Sequence, residues 1–154
     1  MNLLFAFGIG IVAGLRSMTA PALVAWAAHL GWLHLQNSFF AFMGSTWAVI
    51  LFSLLAILEL IADQLPRTPP RTAPIGLIAR VATGTLCGAC VGISGLAVLW
   101  IGAAAGVIGA ILGAFAGYSA RIALVRRLHV PDFAIAIPED IIAIAFGLFF
   151  VSRS

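Results

Sequence analysis

An all-α bundle embedded in a membrane is the fold class this sequence predicts, and three observations predict it. Hydrophobic residues make up 63% of the 154, while Asp, Glu, Lys and Arg together make up 8%, against roughly a quarter charged in ordinary globular domains. The mean hydropathy is +1.17. Five apolar stretches reach or approach the ~20 residues a helix needs to cross a bilayer. So few charges cannot cover a soluble fold of this size, which excludes a water-soluble enzyme or a nucleic-acid binder. Disorder needs low hydrophobicity and many charges, so it is excluded too. The length fits one transmembrane domain, residues 1–154.

The first stretch runs from about Asn2 to Leu33 and is interrupted at Gly14-Leu15-Arg16-Ser17-Met18-Thr19-Ala20-Pro21. Glycine and proline weaken a helix there, so we read it as one broken span; a re-entrant hairpin is the alternative. The others are Ala41 to Ala62, Ile75 to Trp100, Ile101 to Val125, and Ala134 to Val151, the last also broken, at Pro138-Glu139-Asp140. The sum is about five spans. No basic residue precedes the N-terminal apolar run, so a cleavable secretory signal is not expected.

All eight basic residues are arginines, giving a net charge of +3. In a membrane protein this excess reports orientation. Arg67 and Arg71 in the loop DQLPRTPPRTAP, with Arg80 just beyond it, and Arg126 and Arg127 after the fourth span should face the cytoplasm. A broken first span then puts the N-terminus inside and the C-terminus outside, whereas a hairpin moves the N-terminus outside. Trp26, Trp32, Trp47 and Trp100 suit interface anchoring.

Gly84, Gly88 and Gly92 recur every fourth residue, as do Gly109, Gly113 and Gly117. Such stripes let helices approach closely in lipid, within one chain or between copies, and they underlie an expected homo-oligomer. GIVAGLRSMTAPALVAWAAHL also aligns with GAILGAFAGYSARIALVRRLH, each followed by an acidic pair, Glu59/Asp63 and Glu139/Asp140. Opposed halves of that kind form an inverted repeat, which places a binding site at discontinuous helices.

Arg16 is the most informative residue. At membrane depth an arginine costs at least ~2.5 kcal/mol and needs a partner or a wet cavity. Ser17 and Thr19 offer hydroxyls, and a helix restarting near Ala20-Pro21 offers free N–H groups, which suits an anion or a carboxylate side chain. The duller account is an Arg16–Glu59 pair pinning two helices. Glu59 and Asp63 share a helical face. Glu139 and Asp140 follow Pro138, where first-turn capping of the last helix is the plain reading. Arg67, Arg71 and Arg80 are candidates for lipid headgroups. Cys87 and Cys90 have no second pair or nearby histidine to complete a zinc set and read as small packing residues. His29, His34 and His129 lack ligand spacing. No metal, cofactor or catalytic motif is expected.

At GIVAGLRSMTAPALVAWAAHLGWL, ELIADQLPRTPPRTAPIGLIARVATGTLCGA and PEDIIAI the chain resembles a family of small bacterial inner-membrane proteins, a domain of unknown function. The shared features are Gly-Leu-Arg and Glu-x3-Asp-x2-Pro-x-Thr-Pro-x-Arg-Thr. The resemblance implies a compact multi-pass helical protein in which Arg16, Glu59, Asp63, Pro66, Arg71, Arg80, Glu139 and Asp140 are motif positions, without giving them roles.

The expected function is a small transporter or channel, not an enzyme. Arg16, Ser17 and Thr19 would bind an anionic group, with Glu59 and Glu139 as counter-charges or proton carriers; Asp63 and Asp140 complete the candidate substrate- or ion-binding set. The alternative is a non-transporting protein that binds lipid or assists assembly of a partner complex. A lipid-modifying enzyme ranks last for want of a nucleophile or metal set.

Overall fold

The computed structural model describes residues 2–63, 73–95, 98–128 and 132–154. Every regular element in them is helical: α1 (Asn2–Leu15), α2 (Thr19–His29), a short 3-10 helix (Phe39–Gly44), α3 (Thr46–Ala62), α4 (Pro74–Ser94), α5 (Leu99–Leu128) and α6 (Asp132–Ser152). Three of them are long and apolar enough to cross a membrane, over Pro74–Ser94, Leu99–Leu128 and Ala134–Ser152, while Leu3–Leu15 and Thr46–Ala62 are shorter apolar helices. The chain accordingly reads as a membrane protein.

Glycine sets the core. A Cβ on Gly84, Gly88 or Gly92 of α4 would strike the backbone or small side chains of α5 at Gly102, Gly106 and Ala110. Gly10 and Gly14 of α1 press in the same way on Gly106 and Ala110. Gly109 and Gly113 of the second stripe meet Phe7 and Ile11 of α1 in the same way, so both stripes pack helices within the chain. The pairings also fix direction. Contacts rise together along α1 and α5, which are parallel, and run oppositely along α4 and α5, which are antiparallel.

The first apolar stretch is not a broken span. α2 runs back beside α3: Met18 meets Glu59, Trp26 meets Ser53, and Ala28 lies under Gly44. The chain after it returns to the far end of α4, where the His34 N–H donates to Ser94 Oγ at 3.0 Å. α1 and α2 thus form a helical hairpin with its tip at Arg16–Met18. At 14 and 11 residues its arms reach about 21 and 17 Å, less than the ~30 Å of hydrocarbon. Gly31 closes the second arm at φ +78°, a conformation glycine takes without a steric penalty.

α6 is also not broken where expected. It begins at Asp132 and continues through Pro138, so Glu139 and Asp140 lie about two turns inside and do not cap its start. α5 is one uninterrupted helix across the segment aligned with the hairpin.

The two ends of the bundle differ. Arg80 near the start of α4 and Arg126 and Arg127 in the last turn of α5 mark one end. At the other end Trp47 and Trp100, 81% and 77% exposed, open α3 and α5, and Trp32 follows α2. Between them α3 turns an apolar face outward, including Leu54, Leu58 and Ile61, each more than half exposed.

Candidate functional site

The tip of the hairpin gathers most of the charges that the sequence singled out. α1 stops at Leu15, and Arg16 turns its side chain into the bundle, where it is fully buried. Its Nη1 donates to Asp63 Oδ2 at 2.6 Å and its Nη2 to Asp140 Oδ1. Asp63 is the C-cap of α3 and Asp140 comes from α6, so one guanidinium ties together three separate parts of the chain. Both aspartate side chains keep 11% of their surface exposed. Charge-assisted bonds of this kind are about twice as strong as neutral ones.

Glu59 takes a different place from the Arg16 pairing considered above. One turn before Asp63, its carboxylate accepts from the Ser17 N–H at 2.8 Å, the Ser17 hydroxyl at 2.7 Å and the Met18 N–H at 2.8 Å. Met18 is the N-cap of α2 and supplies no side-chain cap. Free N–H groups at a helix start favour an anion, and here the anion is the chain's own glutamate. Thr19 is buried at the same turn, and its hydroxyl, like Arg16 Nε, has no hydrogen-bond partner among the described residues.

Arg80 was expected at lipid headgroups and is instead turned inward. It is 6% exposed, and it donates from Nε to the Gly14 carbonyl at 3.1 Å and from Nη1 to the Gly76 carbonyl at 3.0 Å. The contact with Gly14 also measures depth. Arg80 is six residues inside α4, about 9 Å along its axis, so the hairpin tip sits below the end of a helix whose 21 residues span about 31 Å.

Glu139 stays apart from the cluster. Its carboxylate lies 3.9 Å from Arg121 of α5, a residue not singled out in the sequence; its signal was an arginine isolated within an otherwise apolar helix. Arg67, Arg71, Pro66 and His129 lie outside the described residues. Cys87 and Cys90 are buried and unlinked in the α4 core.

Chemically, the site is a buried cation held by two acids, beside a helix start capped by a third. Residues 3–152 match a family described as a domain of unknown function, DUF4126. No curated protein and no solved structure matches the chain.

Proposed function

Because the chain belongs to this family of unknown function, we propose a role from the site itself: a small proton-linked membrane transporter whose moving charge is the Arg16–Asp63–Asp140 cluster. One observation carries the reading. A single enclosed guanidinium faces two carboxylates delivered by helices that run in opposite directions. With neighbouring Arg80 and Glu59 included, two cations stand against three anions. One proton taken up by the cluster balances that count and loosens the hold on Arg16, which frees the hairpin tip to shift. Intramembrane charges kept at such cost are functional by default.

An anionic solute enters this scheme only by displacing a carboxylate from Arg16, because Glu59 already fills the helix start. α3 to α6 cross the membrane and α1–α2 dips in from one face. The arginine-marked end faces the cytoplasm by the positive-inside rule, which puts both termini outside, in a bacterial inner membrane. One acid of each pair, Asp63 and Asp140, reaches Arg16 from a separate helix, as halves of an inverted repeat would. Association of copies, if used, falls to the exposed face of α3.

Reconstitution into liposomes tests this. Proton flux under an imposed pH gradient, with chloride, acetate or phosphate as the accompanying anion, should exceed that of protein-free vesicles. It should fall to their level in Arg16→Ala and in Asp140→Asn. Equal flux from the wild type and Arg16→Ala contradicts the proposal. The complete enclosure of Arg16 favours a second reading, a structural pin in a non-transporting protein; that reading expects lower stability in Arg16→Ala and no flux in any form.

A further inference from the structure

We propose a lipid site, independent of the transport reading, in the groove between the second half of α5 and the first half of α6. The groove encloses about 400 Å³, within the roughly 300–1,000 Å³ of small-molecule sites. Its walls are Gly117, Ala120, Leu124 and Leu128 of α5 and Ile135 and Ile142 of α6. The small residues at 117 and 120 create the depth, and Leu124, Leu128 and Ile142, each more than two-fifths exposed, form open lips.

The groove surface is apolar, and the charged groups beside and beyond it select the occupant. Its inner end, beside Leu15 and Gly117, is apolar. Arg121 and Glu139 stand midway, and exposed Arg126 and Arg127 lie within two turns of Arg121, where α5 ends. An acyl chain lying inward with a phosphate outward matches that order, and it is how a lipid of the adjoining leaflet already lies. Basic pockets between transmembrane helices bind anionic headgroups in this way. The occupant is therefore one anionic phospholipid, its chain between α5 and α6 and its phosphate against the α5 arginines.

Native mass spectrometry of the full chain in mild detergent, with equal amounts of phosphatidylglycerol and phosphatidylcholine added, tests the site. One phosphatidylglycerol should remain bound, preferred over phosphatidylcholine by roughly fivefold for each contacting arginine. Leu124→Trp should expel it by filling the groove. Leu128→Trp, at an exposed lip, serves if the first variant does not fold. Arg126→Gln with Arg127→Gln should weaken the preference and keep the fold. Bound phosphatidylglycerol that persists in the tryptophan variants, or equal retention of the two lipids by the wild type, overturns the proposal. Displacement by excess inorganic phosphate also overturns it and assigns the arginines to free phosphate.

Discussion

Replacing Arg16 by methionine keeps an unbranched apolar stem and removes the guanidinium, so the electrostatic loss dominates. Asp63 and Asp140 are each about nine-tenths enclosed and lose the cation that both contact. Removing one partner of a buried ion pair costs about 3–5 kcal/mol, because the other charge stays desolvated and unpaired. Arg16→Met should therefore lose about that much stability, measured by unfolding in mixed micelles and followed by helicity. Adding Asp63→Asn and Asp140→Asn removes the stranded charges. Neutral replacement of a whole buried cluster is often harmless, so the triple variant should recover to within about 2 kcal/mol of wild type. If Arg16→Met is within about 0.5 kcal/mol of wild type, the level of an ordinary surface change, the burial reasoning fails. If the triple variant is worse than the single, the coupling reasoning fails.

Glu59→Ala should cost about 2–3 kcal/mol by the same assay, since two backbone N–H groups and the Ser17 hydroxyl lose their acceptor, while Glu59→Gln, which keeps one oxygen, should cost about 1 kcal/mol; equal losses would contradict the cap. Gly106→Val, whose Cβ would meet the Gly84 and Gly88 backbones, should abolish folded protein in detergent. Gly31→Ala, in open space at positive φ, should cost only about 1 kcal/mol, and the reverse order would contradict the packing. With Cys87 and Cys90 replaced by alanine, Asn2→Cys and Ser154→Cys should react with an impermeant maleimide from the same side and Arg127→Cys from the other. Labelling of Asn2→Cys from the Arg127 side would restore the broken span.

What the sequence made legible was composition and anomaly. An arginine in an apolar run needs partners wherever the chain goes, so Arg16 stood out before any fold was known. Glycines at every fourth position announced close packing, though not which helices would meet there. Direction was harder to read. α1 and α2 are both apolar, and only their lengths and the three-residue turn Arg16–Met18 separate a hairpin from a kink. Partner choice was hidden as well. Glu59 and Asp63 share a face, and a single turn of register decides that Asp63 meets the guanidinium while Glu59 meets the N–H groups. At α6 the start expected at Pro138-Glu139 is not the one used. The helix begins at Asp132, which moves Asp140 from a cap to the buried cluster. Arg80 read as a headgroup contact because it follows a basic loop, but its place in α4 turns it toward Gly14.

The most direct test is to look for the contact itself in a bilayer. Protein labelled with ¹⁵N in the arginine guanidinium and ¹³C in the aspartate carboxyl can be placed in lipid and measured by solid-state NMR for arginine–aspartate dipolar contacts. Strong contacts from two of the three aspartates, both lost in Arg16→Met, are what this account predicts. Spectra without such contacts, or contacts unchanged in Arg16→Met, would contradict it.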